Sequence, residues 1–369
     1  MSGAATQEGT TRYAEKFRGV AADGHFRQVE NLAMSSLGIG TYLGQPNDTT
    51  DSSYTAAIVA AVESGFNLID TAINYRLQRS ERCIGTALKV LSRKGIGRDE
   101  IVVCTKGGYL TPDGSMPADP NRYFFEEYLQ KSIFSAKDIA AGSHCMTPRF
   151  LENQLRRSLK NLQLDCIDVY YLHNPETQLS EISPAEFLKR VREAFLFLES
   201  AVARGQIQFY GMATWNGFRQ DKSARDAMQL GEIAAIAKEI AGEKHHFRFV
   251  QLPFNLAMTE ALTQGNQTLP SGQKTVMEAA DELGVKLIAS ASLLQGQVAQ
   301  NLPAFVAEAL GLQNDAERAL QFARSAPGIA AALVGMSRTA HVEANARLVE
   351  VPPAGLDQFG KLFSRTEGA

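Results

Sequence analysis

The feature that most constrains this chain is an alternation. Short apolar runs of strand length recur at Leu37–Thr41, Asn67–Thr71, Ile101–Lys106, Ile167–His173, Ile207–Ala213, Phe249–Gln251, Lys286–Ser290 and Ala332–Gly335, with stretches of helical period between them. Strands apolar on both faces need helices on both sides, which is the situation of a parallel sheet. Eight such units predict closure into one α/β domain, a (β/α)8 barrel of the TIM type. Local signals agree. Ser183-Pro184-Ala185-Glu186 reads as a capping box with proline at the first helical position; Phe187, Val191, Phe195, Leu198 and Val202 follow at three- or four-residue spacing, and Gly205 stands where a stop is expected. Thr147-Pro148 opens another helix ahead of Leu151, Leu155 and Leu159.

Two segments break the alternation. Phe17–Val20 and Phe26–Val29 flank Asp23-Gly24, which predicts a β-hairpin plugging the N-terminal mouth of the barrel. Residues 1–30 are therefore set apart as an N-terminal extension and hairpin, and 31–369 as the barrel. Between the third and fourth strands the chain is far longer than a βα unit requires. The excess, 109–147, follows a strand and is expected over the C-terminal, catalytic face. It carries Tyr109, Tyr123, Phe124, Phe125 and Tyr128, which either pack the segment onto the barrel or make it a lid; in the second reading they line the active site. Tyr109, Phe124 and Phe125 would wall an apolar substrate pocket and exclude water.

Composition excludes several partners. The net charge of −3, with Lys and Arg evenly spread, leaves no footprint for nucleic acid or acidic lipid. No apolar run approaches the roughly 20 residues that span a bilayer, and Met1–Lys16 is too polar for a signal peptide. Cys83, Cys104, Cys145 and Cys166 form no CxxC pair and read as reduced thiols. These features predict a cytoplasmic protein with a small-molecule partner.

Four polar groups stand at or just past strand ends. Asp70 closes the second run and Tyr75 follows five residues later; Lys106 ends the third run and His173 the fourth. Met singly, each has a bland reading: a turn former, a lysine reaching water, a satisfied core histidine. Together they converge on one rim, because successive barrel strands are neighbours. A Lys–Asp pair beside a tyrosine can bring a phenol's pKa down from about 10 towards neutrality. Such a phenol can protonate a carbonyl oxygen as it becomes an alkoxide. His144-Cys145 and His245-His246 are isolated and read as surface or loop residues.

These residues carry a resemblance. From Leu37-Gly38-Ile39-Gly40-Thr41 to Asn345 the chain resembles an aldo-keto reductase. The likeness rests on Leu68-Ile69-Asp70-Thr71-Ala72 with Tyr75, Ser80-Glu81-Arg82 with Ile84-Gly85, Thr105-Lys106, Asp168-Val169-Tyr170-Tyr171-Leu172-His173, Gln251-Leu252-Pro253-Phe254-Asn255 and Gly335-Met336-Ser337-Arg338. It implies a catalytic tetrad of Asp70, Tyr75, Lys106 and His173, hydride transfer between a nicotinamide and a carbonyl or alcohol, and no metal. It also implies cofactor contacts at Thr41, Asp70, Thr214, Gln251, Ser290, Leu293, Gly296, Gly335, Ser337, Arg338, His341 and Asn345. The segment Gly335–His341 opens a helix, where amides and dipole suit an anion. Arg338 offers a planar positive fork for a 2′-phosphate, which favours NADP(H) over NAD(H).

The chain departs from the family at several of these points. Ala213-Thr214 stands where the family places Ser-Asn, and Ser290 where it stacks an aromatic ring on the nicotinamide; Trp215 is the candidate replacement and a further pocket residue. His341 stands where many members carry Arg or Gln, and Ala344 where an acidic residue is common. Two other readings share the fold. One is a cofactor-binding sensor or regulatory barrel with weak turnover, favoured by Ala213, Thr214 and Ser290. The other is a Schiff-base aldolase with Lys106 as nucleophile, which leaves Tyr75 and Gly335–Asn345 unexplained.

Overall fold

All eight apolar runs become staves of one closed barrel in the computed structural model, which describes residues 1–363. An antiparallel hairpin comes first, β1 (Phe26–Val29) and β2 (Leu32–Ser35). The barrel strands are β3 (Leu37–Gly40), β4 (Leu68–Asp70), β5 (Val102–Gly107), β6 (Ile167–His173), β7 (Ile207–Ala213) and β8 (Phe247–Pro253). A small hairpin, β9 (Gln267–Leu269) and β10 (Gly272–Lys274), interrupts the series before β11 (Lys286–Ser290) and β12 (Ile329–Gly335). Neighbouring staves pair in parallel in chain order, and β12 closes on β3 with Val334 opposite Ile39. Every residue of β5 and β6 is buried, as expected of strands covered by helices outside and side chains within.

The N-terminal mouth is plugged by a hairpin as expected, with Phe26–Val29 as one strand, but Phe17–Val20 is not the other. The hairpin turns at Glu30-Asn31, with Glu30 in the left-handed region (φ 55°), and Asp23-Gly24 is not its turn. Residues 7–15 instead form a helix, Gln7–Glu15, and Phe17–Val20 leads out of it. This helix lacks a continuous apolar stripe and is held by tertiary contacts. Thr6 caps the Gly9 N–H, Arg12 and Lys16 pair with Asp99 and Glu100, and the Ala5 N–H donates to Asp168 Oδ1 at 2.7 Å. A boundary at residue 30 therefore cuts the hairpin, whose second strand ends at Ser35. Ala5, Val29, Leu32 and Met34 fill the barrel floor against Val102, Val169, Phe249 and Leu333.

Candidate active site

Strand register assembles the opposite rim. Asp70 ends β4 opposite Cys104, Lys106 pairs with Tyr171, and His173 ends β6 opposite Ala213, which itself pairs with Gln251. These neighbours place Asp70, Lys106, His173 and Gln251 around one end of the barrel. Lys106 is fully buried, and its Nζ donates to Asp70 Oδ1 (2.5 Å) and the Thr71 carbonyl (2.7 Å). Gln251 Nε2 donates to Asp70 Oδ2 at 2.8 Å, so both carboxylate oxygens are engaged. The Lys106 ammonium lies 5.1 Å from the centroid of the Tyr75 ring. That ring meets His173 edge-on, centroids 5.7 Å apart, and Tyr42 at 5.0 Å.

Tyr75 is held by an unusual turn. Arg76, Leu77 and Gln78 all occupy the left-handed region (φ 49°, 57° and 70°) without a glycine among them. Each such residue costs about 1 kcal/mol or more, so the surroundings must impose the turn. They do so through the buried Arg76 guanidinium, which pairs with Asp51, donates to the Gln45 carbonyl (3.1 Å) and lies over the Tyr54 ring.

Electrostatics corrects one sequence expectation. Burial pushes the Tyr75 phenol up, and the nearby Lys106 charge only partly opposes it, so the net shift is upward rather than towards neutrality. The phenol is therefore protonated at neutral pH and poised as an acid. Burial works against the charge on Lys106, but Asp70 and the Tyr75 phenol hold the ammonium above its usual value. Burial raises the Asp70 carboxyl, with Lys106 and Gln251 pulling the other way. His173 is driven well below the usual histidine range by burial, then by Lys106 and His144, and is a neutral imidazole. Its Nδ1 is buried without a partner.

The insertion meets this rim at its base and at residues 112–114, where the Gly114 N–H donates to the Leu77 carbonyl (2.8 Å) and Gln78 Nε2 to the Pro112 carbonyl (3.0 Å) in the turn after Tyr75. Tyr109 and His144 form an antiparallel bridge, and the Tyr109 ring stands edge-on to both His173 (5.2 Å) and His144 (5.0 Å). The Tyr109 hydroxyl is fixed by Asn174 Nδ2 (3.3 Å) and Thr177 Oγ1 (3.1 Å). Beyond the base the insertion packs against the helix Pro148–Leu162: its Tyr128, Phe134 and Cys145 form a separate core with Phe150 of that helix, and Phe124 stacks on Tyr128. Phe125 is exposed. Of the three aromatics expected in the pocket wall, the structure brings Tyr109 to the tetrad and leaves Phe124 and Phe125 elsewhere. His144 is a buried residue beside His173, not a surface one, because its ring fills the space that a side chain at Gly108 would need. His245 is likewise buried, whereas His246 pairs with Glu199 at 2.8 Å on a partly exposed face. All four cysteines are free and buried.

A profile of the aldo/keto reductase family matches residues 36–362. The chain belongs to that family. Human aldo-keto reductase family 1 member C2 is 28% identical over 236 residues, a stretch that spans 63% of this chain and 52% of that protein. The chain thus matches about half the length of this relative. Two solved structures share the fold at 19% identity and a TM-score of 0.61. One is a Klebsiella pneumoniae aldo/keto reductase in complex with NADP and acetate, matched over 94% of this chain and 97% of that one. The other is the holo form of a Bacillus halodurans aldo-keto reductase, matched over 92% and 95%.

The aldo-keto reductase barrel sets the remaining sequence-derived positions around the same rim. Thr41 follows β3 and spends its hydroxyl on the Asp70 carbonyl (3.2 Å). Thr214 follows β7 with a buried, unpartnered Oγ1. Ser290 ends β11, and its carbonyl accepts from Phe254 N–H (3.1 Å). Leu293 and Gly296 lie in the irregular loop beyond, beside the buried and unpartnered Ser292 Oγ. Gly335 ends β12, Ser337 accepts from Ser53 Oγ through its carbonyl, and Arg338 immediately precedes the helix Thr339–Ala346. Arg338 and His341 are exposed, and Asn345 is buried. Trp215 is partly exposed on the rim. Sequence reasoning missed Tyr42, His144, Gln178 and Glu176. Glu176 Oε1 accepts the N–H groups of Trp215 (2.6 Å), Asn216 (3.0 Å) and Gly217 (3.3 Å), and so fixes the loop after β7. Only the Gly107-Gly108 pair hints in the sequence at a close neighbour.

Proposed function

We propose that the chain is an NADP(H)-dependent carbonyl reductase that also runs in the alcohol-oxidising direction. The observation that carries this reading is the buried Asp70–Lys106 pair beside a protonated Tyr75 and a neutral His173. When bound, the nicotinamide supplies or accepts the hydride. Tyr75 gives its proton to the carbonyl oxygen, and the Lys106 charge stabilises the phenolate that results. Asp70, engaged by Lys106 and Gln251, holds that charge in place. His173, lacking charge, orients the carbonyl by a hydrogen bond without competing as an acid.

Local features support the cofactor. Thr214 Oγ1 and Ser292 Oγ are buried without partners, and so have hydrogen-bonding capacity left for a ligand. Gln251 Nε2 is committed to Asp70, leaving its carbonyl for a carboxamide N–H. The helix Thr339–Ala346 has no side-chain cap, and Arg338 makes no ion pair among the described residues, so both suit a 2′-phosphate. Trp215 is the stacking surface in place of an aromatic at Ser290. The substrate is a small carbonyl or alcohol entering between Tyr42, Tyr109 and Trp215. The test is to screen aldehydes, ketones and sugars while following loss of NADPH absorbance. Turnover of at least one class supports the proposal, whereas binding of NADPH without turnover of any would favour a sensor barrel.

A further inference from the structure

The end of β6 has a hydrogen-bonding deficit. The His173 carbonyl emerges past the last ladder pair with β5, Leu172 opposite Gly107. The next amide on that side, Gly108 N–H, turns away to Gln154 Oε1 (2.7 Å). The missing donor comes from the insertion instead: His144 Nε2 lies 2.8 Å from the His173 oxygen.

The network fixes its polarity. Arg190 Nη1 donates to Gln178 Oε1 (2.5 Å), so the other end of that amide is the NH2 group. Gln178 Nε2 then donates to His144 Nδ1 (2.8 Å) and to the His144 carbonyl (3.0 Å). With Nδ1 an acceptor, the proton of neutral His144 sits on Nε2 and is given to His173. Room for the contact comes from Gly108, at φ 148°, where a Cβ would stand 2.8 Å from His144 Nε2 and 3.0 Å from the His173 oxygen. Tyr109, tied down by Asn174 and Thr177, buttresses both imidazoles from the side.

We propose that His144, locked as its Nε2–H tautomer by Gln178, is a positioning residue that sets the backbone and hence the imidazole of His173 for the substrate carbonyl. The insertion is then a shelf under the catalytic histidine as well as a wall of the pocket. This inference rests on the carbonyl-reductase reading.

Three variants test it, with Tyr75→Phe assayed beside them. His144→Leu removes the donor, and kcat should fall about three- to tenfold, the worth of one neutral hydrogen bond, while NADPH Kd stays within about twofold. His144→Gln, which can still present an N–H to the His173 oxygen, should recover most of kcat. Gln178→Glu is nearly isosteric but accepts at Nδ1, forcing neutral His144 to turn its Nε2 lone pair onto the carbonyl. Protonating His144 restores both bonds, so the kcat of this variant, relative to parent, should rise as pH falls. The charged and titratable groups facing this network are Arg190 on residue 178, Glu181 on the Ala141 N–H, Tyr109, His173 and, behind His173, Lys106.

Unchanged kcat in His144→Leu overturns the proposal. So do equal losses in the Leu and Gln variants, or a Gln178→Glu pH profile parallel to parent. If His144→Leu does not fold, the Gln178→Glu profile decides. Failure of the underlying reading shows separately, as a Tyr75→Phe variant that turns over normally.

Discussion

Replacing Lys106 with methionine separates two roles of one ammonium. In the folded protein its Nζ neutralises Asp70 at 2.5 Å inside the barrel, and its charge lies 5.1 Å from the Tyr75 ring centroid. Without it, Asp70 keeps only the Gln251 amide, and an uncompensated buried carboxylate costs about 3–5 kcal/mol. Adding Asp70→Asn removes that charge, so the double variant should regain much of the loss. Activity should not return with stability. At 5.1 Å and an effective dielectric of about 20, the lost attraction for a phenolate is about 3 kcal/mol, or roughly two pKa units. Alcohol oxidation needs the phenolate, and its rate rises as pH climbs through the phenol pKa. In both variants that rise should move up by roughly two pH units, and an ionised Asp70 in the single variant pushes the same way. Urea melts of parent, single and double variants report the first effect, and oxidation rates against pH the second. Equal stability of single and double variants would refute the paired-charge argument. An unmoved pH profile would refute the electrostatic coupling to Tyr75.

Other expectations follow from the same structure. His25 and His144 are buried with pKa values lowered to about 4, by desolvation first in each case. The unfolded chain therefore binds protons near pH 6.5 that the native state refuses down to about 4. Stability should be constant above pH 7 and decline across that window, by roughly 2 kcal/mol per histidine at pH 5. Urea midpoints that do not change between pH 7.5 and 5 would contradict this. Arg338→Ala should weaken NADPH about ten- to a hundredfold and spare NADH in a binding titration, since only a charge-assisted contact to the 2′-phosphate is lost; equal losses would exclude that role. Glu176→Leu strips three backbone amides of their acceptor and should raise KM for cofactor or substrate as the Trp215 loop loosens, while Glu176→Gln, which keeps a carbonyl acceptor, should stay near parent.

Much of this was legible in the sequence because barrel strands carry their own signals. Apolar runs with a polar residue at the C-terminal end locate both the staves and the rim, which is why Asp70, Lys106 and His173 emerge together. The N-terminal helix was not legible, since Gln7–Glu15 has no apolar period and is held by Asp99, Glu100 and Asp168 far along the chain. Nor could His144 be recognised, because its meaning depends on a glycine that lets it reach His173 from across the rim. Charge pattern alone also misjudged Tyr75: the Lys106 charge was visible in the sequence, whereas the burial that outweighs it was not. Within the insertion, aromatic content marked a packed segment but did not distinguish Tyr109, which faces the site, from Phe124, which faces the core that the insertion shares with the helix Pro148–Leu162.

The central claim is that Tyr75 delivers the proton while the rest of the site holds the reactants. Its most direct test is single-turnover reduction by Tyr75→Phe saturated with NADPH, on a carbonyl the parent reduces. The account predicts unchanged NADPH affinity and a fall of about 10²–10⁴-fold in the rate of NADPH consumption, because only the donated proton has been removed. A Tyr75→Phe enzyme that consumes bound NADPH at close to the parental rate would contradict it.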